Sequence, residues 1–255
     1  VAATVSLTEA HRLVQARLAA RTVAQMRTIW PLLDVTAVDA TFERWLRAAM
    51  PIVQANRHTS AALAAAYYDQ LRAARADDPT VPYTPYLDTI ADSRAVTTSL
   101  LVTGPYSLKR AARNGVLLPQ ASDNAMAGSA GAAARHVTEG GRGTIDKTTA
   151  RDRAALGWAR VGSGFPCGFC SMLISRGPVY KTRESAEFSA DGQHYHDHCH
   201  CEPEPVFNRD DWDGRAQYEH YHALWTATKA DRTSPDNGPS SSEVRRAFRR
   251  AVEAH

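Results

Sequence analysis

Residues 166–170, PCGFC, and 193–201, QHYHDHCHC, are the two boxes around which the rest of this sequence is arranged. All four cysteines of the 255-residue chain and four of its ten histidines lie between Cys167 and Cys201. A Cys-x-x-Cys turn holds two thiolates on one tight loop. A second group of thiolates and imidazoles further along can then close a tetrahedral cage around zinc. The candidate ligands are Cys167 and Cys170 from the first box, and His196, Cys199 and Cys201 from the second. A closed structural site takes four ligands, so one of these five is a bystander. If residues 199–201 are extended, Cys199 and Cys201 share a face, which favours a four-cysteine site. If residues 196–199 form a helical turn, His196 and Cys199 share one instead. Two disulfides, or buried thiols without metal, are the competing readings.

The order Cys167-x-x-Cys170, Leu173, Arg176-Gly177-Pro178-Val179-Tyr180 and His196-x-x-Cys199-x-Cys201 resembles the phage head morphogenesis family related to the F protein of phage Mu. That family shows a Cys-x-x-Cys-x-x-Leu-x-Gly segment and a closing His-Pro-x-Cys-Arg-Cys box. Here Asp197 stands at the proline position and His200 at the arginine position. The variant looks like the form found in phages of actinobacteria, and the match covers roughly residues 155–207. The resemblance implies a minor head protein that associates with the portal vertex and acts in head assembly, DNA packaging or ejection. Its implied partners are the portal protein, the major capsid or scaffolding protein and packaged DNA, with no membrane. Its implied location is the head interior, reached from the host cytoplasm.

Working outward, composition agrees with a folded chain that is mostly helical. Hydrophobic residues make up 44% and charged residues 22%, with a net charge of +3 too mild to mark a nucleic-acid binder. The N-terminus carries no basic segment followed by an apolar one, and no run approaches the roughly 18 apolar residues of a membrane span. The reading is a soluble protein made in a cytoplasm, where clustered cysteines more often bind metal than form disulfides.

Ser6-Leu7-Thr8-Glu9 reads as a capping box opening a helix to about Trp30, with Leu7, Ala10, Val14 and Leu18 on its apolar stripe. A second helix is expected over residues 34–50. Pro51 either starts the next one, which runs to Arg75, or kinks a longer one. Trp45, Tyr67 and Tyr68 read as packing residues. Residues 80–85 form an extended linker, and a helix over 86–102 is broken by Gly104-Pro105. A short helix to Arg113 stops at Asn114-Gly115. A further helix spans 119–138 and ends at Gly140-Gly141, after which Thr144 caps another through about Leu156. Strands are expected at 157–161, 178–180 and 201–207.

The last region is helical again, with a flexible linker near 233–242. A final helix over 243–254 places Val244, Phe248 and Val252 on one stripe beside Arg245, Arg246, Arg249 and Arg250. This tail is expected to dock on a partner or remain mobile, its arginines contacting an acidic protein or nucleic acid. The fold class is therefore mainly α with a small α+β module. Residues 1–156 form a helical region that docks on portal or head, 157–207 the Cys/His module, and 208–255 a helical tail.

The chain has no Gly-x-Ser-x-Gly elbow, no His-Glu-x-x-His pair and no phosphate-binding or dinucleotide glycine loop. Two catalytic alternatives stand beside the structural reading. A capsid maturation protease would draw on Ser163 or Ser171 with the histidines of 194–200. A metal-dependent nuclease would draw on His194, His196, His198 and His200.

Overall fold

The computed structural model describes residues 5–164, 166–178, 201–230 and 241–254, and it is mainly helical with one small antiparallel sheet. Helix α1, Leu7–Ile29, starts at Ser6, whose Oγ accepts the Glu9 amide at 3.2 Å. The second half of the expected capping box does not close. Glu9 instead takes Arg12 in two contacts of 2.5 and 2.6 Å. A 3-10 turn at Trp30–Leu32 ends this arm.

Helix α2, Val38–Arg75, runs unbroken through Pro51. Pro51 is exposed, so the carbonyl that lacks its amide partner lies on the water side of the helix. Residues 86–92, expected as helix, are irregular because neighbouring side chains take up their backbone. Thr148 and Thr144 hydroxyls accept the amides of Tyr86 and Asp88, each at 3.0 Å, and Gln54 Nε2 donates to the Thr89 carbonyl at 2.8 Å. Helix α3 therefore begins at Ser93, with Asp92 Oδ1 accepting the Arg94 and Ala95 amides, and ends at Leu101.

Gly104-Pro105 does not stop the chain as expected. It sits inside a π-helical turn, Val102–Tyr106, that leads into α4, Ser107–Arg113. Asn114-Gly115 is the stop. Gly115 adopts φ 80°, and the amides of Gly115 and Val116 close on the carbonyls of Ala112 and Ala111, both at 3.1 Å.

Helix α5, Leu118–Thr149, replaces the two shorter helices expected there. Gly140 and Gly141 are crossing points, not terminators. A Cβ on Gly140 would stand 2.7 Å from the Arg57 carbonyl, and one on Gly141 would stand 2.8 Å from Ser60 Oγ. The glycines let α5 lie against α2 at backbone distance, which outweighs their low helix propensity.

Helices α1, α2 and α5 form the central layer, in which two apolar clusters flank a polar one. Trp30, Trp45, Ala49, Val53, Ala125, Ala133 and Val137 fill the first cluster, and Trp30 meets Trp45 edge-on at 5.6 Å. Ala64, Tyr67, Tyr68, Leu71, Ile145 and Phe207 fill the second. Between them, Gln15 Nε2 donates to the Ser60 carbonyl at 3.0 Å and Ser60 Oγ donates back to Gln15 Oε1 at 2.7 Å. Asn56 reaches Thr22 and Gln25 at 3.0 and 2.6 Å. The buried stripe of α1 is thus Thr8, His11, Gln15, Leu18, Thr22 and Met26, not the apolar one expected, of which only Leu18 is buried.

Strand β1, Gly157–Val161, pairs antiparallel with β2, Glu202–Val206, with Gly157 opposite Val206 and Val161 opposite Glu202. Both were expected as strands. Of the third expected strand, Pro178 lies in a bend, and Val179 and Tyr180 lie outside the described residues, as does most of the linker near 233–242. Helix α6, Gly168–Ile174, follows β1, and α7, Arg215–Ala230, follows β2. Helix α8, Ser241–Glu253, folds back onto α6 and α7, where Phe248 meets Trp225 edge-on at 5.1 Å. The tail's apolar stripe is covered by its own chain.

Candidate functional site

The β1–β2 pairing carries the two ends of the cysteine segment to one place. Cys201 immediately precedes β2, while β1 leads through Gly162 into the first box. Cys167 is the N-cap residue of α6 and Cys170 lies in its first turn. Cys170 and Cys201, both buried, pack against each other, whereas Cys167 is exposed. Ser171 Oγ lies 3.2 Å from the carbonyls of Pro166 and Cys167, to which it donates, fixing the turn that presents the thiols.

Glycines make this assembly tight. A Cβ on Gly162 would stand 3.0 Å from Pro166, and one on Gly168 would stand 2.9 Å from Arg249 of α8. Gly177 ends α6 at φ 68° and lies under Tyr218 of α7, where a Cβ would fall 2.8 Å from the ring. Gln217 clamps Gly162 by accepting its amide at 2.8 Å and donating to its carbonyl at 3.3 Å.

A framework of buried charges joins this module to the helical layer. Period-two alternation puts Glu202 and Glu204 on one face of β2. Glu202 meets Arg142 of α5 at 3.2 Å. Glu204 accepts the Asp213 and Gly214 amides at 2.7 and 2.9 Å. Burial pushes the Glu204 carboxyl up to about 7, with the Asp213 charge adding to it against those two amides. Asp213 pairs with Arg75 of α2 at 2.7 Å.

Nearby, Arg72 binds Asp152 at 2.7 Å, and the Tyr68 hydroxyl donates to the same carboxylate at 3.1 Å. His11, stacked on Tyr67 at 4.3 Å, is held down to about 3 by burial and then by the charge of Arg142. It is neutral at physiological pH. A cleft of about 130 Å³ between the start of α1 and the sheet is lined by Ser6, Glu9, Arg12, Val161, Glu202 and Asp213.

Of the five metal candidates, the structure brings Cys170 and Cys201 together, with Cys167 at the same helix start. His196 and Cys199 lie outside the described residues. Cys170 and Cys201 supply two of the four donors that a structural zinc takes, and among the described residues no group of three or more His, Cys, Asp or Glu side chains is placed to hold a metal ion. Arg245, Arg246, Arg249 and Arg250 are exposed on α8. Ser171 is fully buried with its hydroxyl committed to backbone carbonyls, and His194, His198 and His200 lie outside the described residues. Among the described residues no helix is long and apolar enough to cross a membrane.

Sequence reasoning missed the arginine and carboxylate framework. The Glu202-x-Glu204 alternation in an expected strand was the signal for its β2 half. Arg57, Arg72 and Arg142 carry none, because an arginine on a long helix is ordinarily solvated.

A model of the VG15 protein family matches residues 3–228. The Gene 15 protein of Mycobacterium phage D29 is 29% identical across 37% of this chain and 45% of its own length, so the chain spans under half of that relative. No solved structure matches the chain. The chain belongs to the VG15 protein family, and it is a phage protein.

Proposed function

We propose that this member of the VG15 family is a minor head protein of its phage, bound at the portal vertex inside the head and acting in assembly, packaging or ejection. The observation that carries this reading is spatial. Cys170 of the Cys-x-x-Cys turn and Cys201, the two ends of the pattern that resembles the head morphogenesis proteins, lie side by side although they are far apart in sequence.

In this reading Cys167, Cys170 and Cys201 hold a structural zinc, with the fourth ligand supplied by His196 or Cys199. Bound zinc would contribute folding energy to a module whose described residues form two short strands and one short helix. The chain's own residues prepare the site. Ser171 orients the turn, and the close contact of Gly168 with Arg249 seats α8 against it. The exposed arginines of α8 are then available to packaged DNA or to the portal, and the long helices of residues 1–156 serve as the docking body.

Two measurements test the reading together. Protein purified under reducing conditions is expected to hold one zinc per chain by elemental analysis, lost in Cys170→Ser and Cys201→Ser. Produced with the portal subunit of the same phage, the chain is expected to co-purify with it as a defined complex. Metal-free protein would remove the zinc assignment, and a chain that neither binds portal nor occurs in purified heads would remove the head-protein reading.

A further inference from the structure

The corner formed by the π turn, α4 and the start of α5 is an unusual surface. Val102, Tyr106, Leu117 and Leu118 are 54%, 55%, 77% and 42% exposed, on a helical layer whose other large apolar side chains are mostly buried. Arg110 and Arg113 are exposed between them on α4. From Ser93 to Ser122 the sequence contains no aspartate or glutamate. Asp39 of α2 reaches α4, where Lys109 holds both its oxygens at 2.8 Å, and the first acidic residue of α5 is the exposed Asp123. Helix α5 opens at Leu117 without a side-chain cap, so its dipole adds positive potential at the same corner.

We propose that this corner is a docking surface for a protein segment that is apolar at its centre and acidic at its edges. Charge complementarity selects the partner. A second copy of the chain would set arginines against arginines, which is unfavourable at an interface. Nucleic acid would satisfy Arg110 and Arg113, yet its phosphate backbone offers nothing to the exposed aliphatic chains of Val102, Leu117 and Leu118. An acidic, apolar segment satisfies both sets. Its leucines or aromatics cover the aliphatic chains, and its carboxylates meet the two guanidinium groups and the open helix start. The surface rests on the head-protein reading for the name of the partner, the portal subunit, and not for the partner's chemistry.

The test places a photo-crosslinking benzophenone amino acid at Leu117 of the protein in infected cells and in purified heads, with a second at exposed Arg47 of α2 as control. Crosslinked peptides are then sequenced. The expected result is a defined adduct from position 117, absent from position 47, whose partner peptide carries aspartates or glutamates beside apolar residues. Arg110→Glu combined with Arg113→Glu is expected to reduce its yield on the order of tenfold, by setting like charges together.

An adduct to a protein other than the portal keeps the surface and changes only the partner's name. Adducts to DNA, to a second copy of this chain or to a basic segment overturn the proposal, as does a yield no greater than at position 47. Circular dichroism of the purified double variant guards against misfolding. If that variant is unfolded, Leu117→Asp, at a side chain the fold leaves exposed, is the replacement and is expected to abolish capture from a crosslinker at Leu118.

Discussion

Two successive stretches of α5 meet the same neighbour, α2, with opposite chemistry. The first sets Ala125, Ala132, Ala133 and Val137 into the cluster around Trp45, Ala49 and Val53. Around Gly140 and Gly141, near backbone contact meets Arg57 and Ser60, and Arg57 donates to the His136 carbonyl at 2.7 Å and to the Asp88 backbone and carboxylate at 3.1 and 2.9 Å. The difference teaches that one long helix can be stabilised by area along one stretch and by directional bonds along the next. Area tolerates change of shape, whereas a buried bond fails when one partner is removed.

The sharpest way to break the symmetry is Arg72→Met, which leaves the Asp152 carboxylate buried without its cation. It should destabilise the chain by about 3–5 kcal/mol, with much of this recovered when Asp152→Leu is added. Urea denaturation of the two single variants and the double variant measures that coupling. On the apolar side, Trp45→Ala should lose about 3–5 kcal/mol by cavity formation, and should add independently to Arg72→Met. Coupling between those two distant sites would show that the apolar cluster and the buried ion pair do not act separately.

Next in size is Glu204. Its folded-state carboxyl is raised to about 7, above the usual carboxylate value, chiefly by burial. The folded chain therefore holds a proton that the unfolded chain releases. The stability linked to this group is fully present below about pH 4.5 and is lost as pH rises through 7. The loss should be on the order of 2 kcal/mol, and thermal melts of Glu204→Gln should show a flatter profile between pH 5 and 8. The smallest effect expected is that of Gln15→Ala, about 1–2 kcal/mol from the lost exchange with Ser60, read by the shift in urea midpoint.

The same contrast explains what the sequence made legible. The helix start at Ser6, the stop at Asn114-Gly115, the buried roles of Trp45, Tyr67 and Tyr68, and strands β1 and β2 follow from local rules. The misreadings occur where a distant group overrides such a rule. Gly140-Gly141 reads as a terminator until α2 is known to pass within contact distance, and residues 86–92 read as helix until Thr144, Thr148 and Gln54 take up their backbone groups. The α1 stripe was mistaken because its buried face is polar: Thr8, Gln15 and Thr22 bond to Tyr67, Ser60 and Asn56 of α2, and the His11 ring stacks on Tyr67. At the candidate site, the pairing of β1 with β2 made the meeting of Cys170 with Cys201 foreseeable. The covering of that turn by α8 was not, since the apolar stripe of Val244, Phe248 and Val252 does not reveal which surface it covers.

Helix α5 spans 32 residues, about 48 Å at 1.5 Å per residue. One end opens at the arginine-bearing corner beside Leu117. Near the other, Asp146 accepts the Trp158 indole proton at 3.0 Å and Arg142 grips Glu202, so the last turns are fastened to the cysteine-bearing sheet. One continuous helix, packed along its length on α1 and α2, thus sets the spacing between the Leu117 corner and the cysteine-bearing sheet.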